Sequence, residues 1–470
     1  MQSKQDQLQA HLFVVGRVVS ALTRGEPDAA ETPMRRFTTA TLGSVVVAAL
    51  LLVGFGVYGL VRPGSGTAWR EPGTVIVEEE TGTRYVLMDK VLHPVLNYAS
   101  ARLLLGSAAK VVQVPQRSLG GVPRGAPVGI PGAPDGLPDP TRLGGRQWTL
   151  CSAPAPDAAG SPAMRTTVSL DRARPLTSPS ADQAVLVQTP GGAQYLVWHD
   201  TRLGIPDRAA LVALGYGSAD PWQVSDQWLS ALPSGPALRA PAVPHRGKSG
   251  PRIRGQATRI GQVLSVGKGT GGPTSSYFLV LADGLAPLTG TQAALLLGDP
   301  ASRQAYTNGQ VTAVAVGASD AAAMPVSGQK VSEGALPLMP PALVGPLPDH
   351  PWTPCLRLVL GQDGVLATVR MGFTEDRSAA DTGVVRVLVA PGGGMLAQSP
   401  ATHGAPSSAV YLVTDLGVKY PLVSSGSAAA LGYSDSPVVL VPAALLALLP
   451  TGPVLDPKAA EREPTFNGEH

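Results

Sequence analysis

The sequence predicts a β-rich α+β protein in which a single transmembrane helix is followed by an elongated outer domain. Three observations support this fold class: a long uncharged run near the amino terminus, a strand–turn–helix pattern that occurs four times, and a Trp-Thr-x-Cys motif that occurs twice. The fourfold pattern predicts four strand/helix repeats around a central β core. The repeated motif predicts that this core has a pseudo-twofold duplication.

The composition indicates a folded chain rather than a disordered one. With 470 residues the chain is too long for one ordinary core, so two or more folding units are expected. Glycine (55) and proline (46) are frequent, but 44% of the residues are hydrophobic, which is typical of a folded, loop-rich protein. The 36 basic and 33 acidic residues leave a net charge of only +3, too small to predict a nucleic-acid partner.

The uncharged run between Arg36 and Arg62 predicts a transmembrane helix over residues 37–62. As a helix the run would measure about 37 Å, enough to cross a hydrocarbon layer of about 30 Å. A cleaved secretory signal is the competing interpretation. The run is longer than the usual apolar region of such a signal and 36 residues precede it, so we expect the helix to be retained.

The charges that flank the run predict its orientation. Arg35 and Arg36 adjoin its amino-terminal end, and cytoplasmic flanks carry an excess of Lys and Arg. We therefore expect a single-pass plasma-membrane protein with a cytoplasmic amino terminus and a large extracytoplasmic domain. Cysteines on that outer side can oxidise.

Residues 1–36 predict a cytoplasmic amphipathic helix. Leu8, Leu12, Val15 and further apolar residues recur at helical spacing, and Ser3 with Asp6 has the form of a capping box. The apolar stripe is too narrow to form a domain, so we expect it to bind the inner leaflet or a partner subunit. The alternative is a helix that frays without binding anything.

Four segments share one pattern. An aromatic residue begins a short apolar strand, an aspartate suits the following turn, and a proline precedes an Ala/Leu-rich helix that ends at a Leu-Gly C-cap. The copies run from Tyr85 to Gly106, from Tyr195 to Gly215, from Tyr277 to Gly298 and from Tyr411 to Gly432. We predict repeats at 63–145, 191–240, 256–345 and 406–456, core segments at 146–190 and 346–405, a linker at 241–255 and a mobile tail at 457–470.

The two cysteines of the chain, Cys151 and Cys355, end the two Trp-Thr-x-Cys motifs. The motifs begin at Trp148 and Trp352, and each lies between two repeats. Equivalent positions of a duplicated core meet where a pseudo-twofold axis brings the two halves together, so we predict a disulfide between Cys151 and Cys355. Two buried free thiols are the alternative.

No catalytic or metal-binding constellation is predicted. Gly247-Lys248-Ser249 resembles the end of a phosphate-binding loop but lacks the first glycine, a preceding strand and a following helix. Gly267 to Gly272 matches a dinucleotide pattern, but Pro273 and a strand follow in place of the helix, which indicates a flexible hairpin loop. The seven histidines show no metal spacing, and His93 is expected to cap or pack in its turn.

Two segments resemble a known family. The start, from Gln7 to Phe13 with Arg17, and the stretch from Leu92 to Leu103 are similar to the EccB proteins of actinobacterial type VII (ESX) secretion systems. The order of cytoplasmic helix, span, four repeats and one cysteine pair also matches, so the resemblance covers essentially the whole chain. Paired arginines are expected near Gly16-Arg17, where this chain has only one.

The resemblance implies a structural subunit of the secretion membrane complex, which exports small helical proteins of the WXG type. The implied partners in this large hetero-oligomer are the EccC motor ATPase, EccD and EccE. EccB proteins often carry an ATPase label, so ATP is implied only by that label, and no other cofactor is expected. An ATPase without recognisable motifs and an anchor that binds the cell wall are the alternative functions.

Overall fold

The computed structural model describes residues 4–25, 33–61, 68–157, 159–171, 175–267, 276–307, 309–329, 331, 335–346, 352–375, 384–400 and 409–464. The chain divides into two units. One contains residues 1–72, 76–82 and 112–122, and the other contains residues 73–75, 83–111 and 123–470. The first unit contains the two long helices, and the second contains the disulfide and the central sheet.

The first long helix, α1 (Lys4–Arg24), carries the predicted apolar stripe. It ends where Gly25 adopts a φ of 71° and donates its N–H to the carbonyl of Ala21, a C-cap that needs a left-handed residue. Leu12 and Leu22 of the stripe are 62% and 81% exposed. Ser3, half of the predicted capping box, lies outside the described residues.

The second long helix, α2 (Pro33–Val61), contains the predicted span. Its segment Thr38–Val57 has a mean hydropathy of 2.3 and none of it is buried against the rest of the protein. Thr41 and Ser44 donate their hydroxyl protons to the carbonyls of Thr38 and Thr41, so both polar groups are satisfied within the helix. Among the described residues, this helix alone is long and apolar enough to cross a membrane.

Four small sheets occupy the four predicted repeats. The first copy contains β1 (Thr74–Glu78), β2 (Arg84–Met88), β3 (Val91–Pro94), α3 (Tyr98–Leu105) and β4 (Lys110–Val114). The second contains β7 (Gln183–Gln188), β8 (Gln194–Trp198), β9 (Thr201–Ile205), α4 (Arg208–Ala213), β10 (Trp222–Gln223) and α5 (Asp226–Ser230). Between them lie β5 (Gln147–Pro156) and β6 (Pro162–Leu170) of the central sheet.

The second half of the chain repeats this order. The third copy contains β11 (Val263–Val266), β12 (Ser276–Leu281), β13 (Gly284–Leu288), α6 (Gly290–Gly298), β14 (Val314–Ala315) and α7 (Ala318–Ala322). After β15 (Ala342–Leu343), the central sheet adds β16 (Trp352–Leu360), β17 (Leu366–Glu375) and β18 (Val385–Leu388). The fourth copy contains β19 (Met395–Gln398), β20 (Val410–Val413), β21 (Lys419–Leu422), α8 (Ser425–Leu431), β22 (Val438–Leu440) and α9 (Ala443–Leu446), and α10 (Pro457–Ala460) follows.

The copies share a strand order. The second, third and fourth have the orders β9-β8-β7-β10, β13-β12-β11-β14 and β21-β20-β19-β22, in which the outer short strand pairs parallel to the first strand. In the first copy, β2 pairs antiparallel with β3, and β1 neighbours β4. Each turn is therefore followed by a second strand that the sequence pattern did not predict. The sheets of copies two and four also include β7 and β19, which lie before the predicted boundaries at 191 and 406.

A recurring hydrogen bond sets the register of the four copies. One residue in each second strand donates its N–H to a proline carbonyl, at 2.8 to 2.9 Å; the pairs are Leu92 to Pro123, Arg202 to Pro233, Leu285 to Pro325 and Lys419 to Pro450. The carbonyl of the same strand residue accepts a hydrogen bond from the N–H of the residue two positions after that proline. This register places Phe278, and not the predicted Tyr277, at the position of Tyr85 in the first copy.

Residue size is matched across this contact. In three copies the residue two positions after the proline is a glycine: Gly125, Gly235 or Gly452. A Cβ added to that glycine would lie 2.3 to 2.5 Å from the side chain next in sequence to the hydrogen-bonded strand residue, which is His93, Leu203 or Tyr420 respectively. In the third copy the following residue is Ala286, and the glycine position holds Ser327. The first, second and fourth copies therefore require glycine because the opposing side chain is large, and the third copy tolerates serine because Ala286 is small.

Two predictions about segment ends need correction. The helix α6 includes Gly298, and Asp299 is its C-cap, so the predicted Leu-Gly cap is wrong in the third copy. Its Cα lies close to α4: a Cβ on Gly298 would fall 2.3 Å from the Cβ of Ala213. The predicted mobile tail begins with helix α10, in which Ala460 is fully buried, and residues 465–470 lie outside the described residues.

The predicted linker at 241–255 joins the two halves and packs onto the third copy. Arg246 forms an ion pair of 2.6 Å with Asp299, and the N–H of Gly247 donates to the carbonyl of Ile260. Ile253 is buried among apolar residues of β11, β12 and β13. The segment is therefore part of the folded second unit.

Gly235→Ala tests the size match. Its methyl group would lie 2.5 Å from Cδ2 of Leu203, and we expect this overpacking to lower the free energy of unfolding by about 1–3 kcal/mol. Leu203→Ala removes the nearer of the two obstructing atoms, the other being Cγ2 of Thr201 at 2.9 Å, so Gly235→Ala should cost less in that background. Gly328→Ala, which has no atom within 4 Å of the added Cβ, is the matched control. Urea unfolding of the full chain in detergent measures all four variants, and an equal cost of Gly235→Ala in both backgrounds would contradict the size match.

Candidate functional site

The central sheet joins the two halves of the chain. Its strand order is β17-β16-β5-β6-β18, so β5 of the first half and β16 of the second are direct neighbours. They pair antiparallel, and Cys151 lies opposite Cys355. The two sulfur atoms are 2.00 Å apart and form a disulfide, with the Cα atoms 4.0 Å apart.

The register around this disulfide is symmetric. Cys151 lies directly opposite Cys355, and Trp148 lies opposite Leu358, three residues away from the cysteine on each strand. The motif that begins at Trp148 and the one that begins at Trp352 run in opposite directions and meet at their cysteines. A local twofold axis through the cysteine pair therefore relates the two motifs.

The junction is closed to water. Cys151 and Cys355 are 5% and 0% exposed, and Trp148 is fully buried beneath the sheet with its indole N–H donating to the carbonyl of Gly145 at 2.7 Å. The same apolar cluster contains Trp228 from the second copy and Leu445 from the fourth. One core therefore connects the central sheet with copies from both halves.

Each half also contributes a segment to a sheet of the other half. Ahead of β16, β15 pairs parallel with β7 of the second copy, with Leu343 opposite Ala184. Ahead of β5, Leu143 forms a parallel bridge to Gly394, the residue before β19 of the fourth copy. Because the two exchanges are reciprocal, separating the halves would break backbone hydrogen bonds in the sheets of both the second and the fourth copy.

Two tyrosines secure the exchanged segments. The Tyr216 hydroxyl donates to the carbonyl of Pro341, and the Tyr433 hydroxyl donates to the carbonyl of Pro138, both at 2.7 Å. Burial raises the pKa of each tyrosine well above its usual range, so both remain neutral donors at physiological pH. The sequence analysis missed them, although both follow a Leu-Gly pair in copies two and four and could have been found there.

The nucleotide-like segment around Lys248 is part of a backbone ladder. The N–H of Gly247 donates to Ile260 O, the N–H of Lys248 donates to His245 O, and the N–H of Gly250 donates to Thr258 O. In the described chain, the next helix after this segment is α6. At the second candidate, β11 and β12 form an antiparallel hairpin, and most of the intervening pattern, residues 268–275, lies outside the described residues.

Two of the seven histidines contact backbone carbonyls. His93 lies 2.9 Å through Nδ1 from the carbonyl of Ala126 and packs against Gly125, as a residue that fills its turn. His199 lies 3.0 Å through Nε2 from the carbonyl of Ala181. Over the part of the chain that the structure describes, three or more His, Cys, Asp or Glu residues do not come together as a metal site.

The fold and the junction define a class of protein: a β-rich domain of strand/helix copies joined by one disulfide, preceded in the described chain by one helix long and apolar enough to cross a membrane. Comparison with known proteins narrows this class. A family model described as "Type VII secretion system ESX-1, transport TM domain B" matches residues 1–465. The chain therefore belongs to the EccB family of type VII secretion proteins.

Relatives match along most of the chain. It is 29% identical to the ESX-3 secretion system ATPase EccB3 of Mycolicibacterium smegmatis, over 94% of this chain and 87% of that protein. It is 31% identical to the ESX-5 secretion system ATPase EccB5 of Mycobacterium tuberculosis, over 96% of this chain and 92% of that protein.

Solved structures agree with the fold. A chain of an intact ESX-5 inner membrane complex covers all of this chain, with 97% of its own length matched, a TM-score of 0.62 and 26% identity. A chain of the EccB3 dimer from the ESX-3 core complex matches 83% of this chain and 99% of its own length, with a TM-score of 0.60 and 27% identity.

The disulfide gives a direct prediction. Mass spectrometry under non-reducing conditions should find a peptide that links Cys151 to Cys355, and replacing both cysteines with alanine should lower the free energy of unfolding by about 2–5 kcal/mol. The cost arises because the link closes a loop with a sequence separation of 204 residues in the unfolded chain. Two thiols that react with an alkylating reagent in the native protein would contradict the prediction.

Proposed function

We propose that this chain is a structural subunit of the type VII secretion membrane complex and supports export of small WXG-type helical proteins. The observation that carries the proposal is the combination of EccB family membership with one membrane anchor and a disulfide-joined domain. Its structural relatives come from an ESX-5 inner membrane complex and an ESX-3 core complex, which are multi-subunit assemblies. A rigid domain on a single anchor is suited to hold other subunits in place.

The large domain is proposed to lie outside the cytoplasm. A chain of the periplasmic assembly from the ESX-5 inner membrane complex matches 87% of this chain with a TM-score of 0.64 and 26% identity, which supports that placement. Arg35 and Arg36 favour a cytoplasmic amino terminus. A disulfide between Cys151 and Cys355 is also stable in an oxidising compartment.

The proposed partners are subunits of the EccC, EccD and EccE families. On the cytoplasmic side, α1 presents exposed apolar residues such as Leu8, Phe13 and Leu22, with exposures of 61%, 65% and 81%. Exposed apolar side chains on an amphipathic helix favour binding to a groove or to the bilayer surface. We therefore assign α1 and the span to assembly.

Nucleotide hydrolysis is the second candidate function, because the relatives' names include the word ATPase. A phosphate loop needs backbone amides that are free to donate to phosphate oxygens. Around Lys248, the amides of Gly247, Lys248 and Gly250 already donate to backbone carbonyls. This ladder favours the structural role over hydrolysis at Lys248.

Cysteine labelling tests the orientation. In intact cells, a reagent that cannot cross membranes should modify a cysteine placed at Ser65 and should not modify one placed at Ser3. Cys151 and Cys355 give little background because they are joined to each other. The reverse labelling pattern would show that the large domain is cytoplasmic.

Deletion of residues 2–24 tests the structural role. Without α1, the secretion complex should dissociate and export should stop, while the outer domain still folds, because α1 is the part proposed to bind cytoplasmic partners. Native gels, a secretion assay and circular dichroism measure these three properties. Complex and export that survive the deletion would contradict the role of α1.

Lys248→Ala separates the two candidate functions. Export and ATP turnover should be unchanged, because the lysine lies in a backbone ladder that leaves no phosphate cradle. Arg239→Ala, an exposed basic residue upstream, is the matched control for a lost surface charge. Loss of both export and ATP turnover in a folded, assembled Lys248→Ala protein would support the ATPase function and contradict the structural one.

A further inference from the structure

A cavity of about 420 Å³ lies where helix α3 of the first copy meets α8 of the fourth. Its walls include Tyr98 and Arg102 from α3, Asp139 and Arg142 from the exchanged segment ahead of β5, and Tyr433. Arg102 belongs to the Leu92–Leu103 stretch that carries the family resemblance. The structural role of the proposed subunit does not use this cavity.

The guanidinium of Arg102 has few partners for its five N–H groups. Its Nη2 donates to the carbonyl of Leu431 at 3.3 Å, and its Nε is buried without a hydrogen-bond partner among the described residues. Gly432 allows the close approach, since a Cβ there would lie 2.8 Å from Nη2. Because Nε is buried, only the N–H groups of Nη1 and the second N–H of Nη2 can meet an acceptor from outside the chain.

A second guanidinium lines the same cavity. Arg142 ends the 3-10 turn Pro140–Arg142, and its side chain makes no hydrogen bond to any residue in the described ranges. Its Nη1 lies 3.5 Å from the place of a Cβ on Gly392. The carboxylate of Asp139 also lines the cavity, and it accepts from the N–H and the hydroxyl of Thr141 at 2.8 and 2.7 Å. Two arginines and one aspartate leave a net charge of +1.

The equivalent junction of the second and third copies lacks both arginines. There Tyr216 repeats the bond of Tyr433, and α4 packs against α6 as α3 packs against α8. Counting five residues from the helix N-caps, Asn97 and Thr289, places Ala294 at the position of Arg102. Leu143 and Leu343 pair with the equivalent residues Gly394 and Ala184, which places Ala342 at the position of Arg142. The fold therefore forms this junction without the arginines, which separates them from the structural contacts that the two junctions share.

We propose that the cavity between α3 and α8 binds the phosphate group of a phosphate ester through Arg102 and Arg142. The two guanidiniums come from different segments, helix α3 and the 3-10 turn Pro140–Arg142, and both line the cavity. A phosphate ester offers three free oxygens in a tetrahedral arrangement, whereas a carboxylate offers two in a plane. The rings of Tyr98 and Tyr433 and the prolines beside Asp139 give the cavity apolar walls for the organic part of the ester.

Binding of glycerol 3-phosphate to the full chain tests the proposal, with the protein in an uncharged maltoside detergent at constant ionic strength. Broadening of the ligand's ³¹P resonance should saturate with the wild-type chain. Arg102→Gln and Arg142→Gln should each weaken binding by about tenfold or more, because each removes charge-assisted hydrogen bonds. Arg142 is exposed, so its variant should remain folded.

Two controls make each outcome decisive. Arg239→Gln removes the arginine that lines the cavity between the second and third copies, beside Asp207 and Asp299, and should leave binding unchanged. Inorganic phosphate should compete with glycerol 3-phosphate, and acetate at the same concentration should compete much less. The proposal is overturned if the wild-type chain shows no saturable binding, if the double variant Arg102→Gln/Arg142→Gln retains wild-type affinity, or if acetate competes as well as phosphate.

Discussion

The antiparallel pairing of β5 with β16 is the contact on which the rest of the second unit depends. It places Cys151 opposite Cys355 and sets the local twofold axis that relates the two Trp-Thr-x-Cys motifs. The disulfide adds a covalent link to the backbone ladder at this point. Because the pairing joins residues that are 204 positions apart, it connects two chain halves that could otherwise fold as separate bodies.

Reciprocal exchange strengthens this junction. The segment ahead of β16 adds to the sheet of the second copy, and the segment ahead of β5 bridges to the fourth. Tyr216 and Tyr433 each donate one hydrogen bond to hold these segments. Such interlocking joins the two halves of the second unit through backbone hydrogen bonds as well as through the disulfide.

The sequence analysis found the parts of this structure that have a local signal. The uncharged run predicted helix α2, the strand–turn–helix pattern predicted the four copies, and the matched motifs predicted the pairing of Cys151 with Cys355. It missed the second strand of each copy because the pattern places the proline directly before the helix, whereas Pro94 and Pro421 belong to that second strand. In the third copy two adjacent aromatic residues, Tyr277 and Phe278, made the register ambiguous, and only the backbone hydrogen bonds resolve it.

The candidate site was less accessible to sequence reasoning. The exchange between Leu143 and Gly394 joins residues far apart in the chain and has no periodic pattern, so only the folded backbone reveals it. The same holds for Arg102 and Arg142, whose shared cavity depends on the packing of α3 against α8. Local periodicity records which face of an element is buried, but it does not record which distant element covers that face.

The most direct test of the account asks whether the two halves remain one body after the chain is cut. A protease site inserted between Gly255 and Gln256, in the turn where Ile253 and Gln256 pair, would give two fragments. We expect the fragments to co-elute under native conditions even after the disulfide is reduced, because the central sheet and both exchanged segments still connect them. In denaturant, they should separate only when reduced. Fragments that separate under native conditions once the disulfide is reduced would show that the halves are linked by the disulfide alone, which would contradict the account.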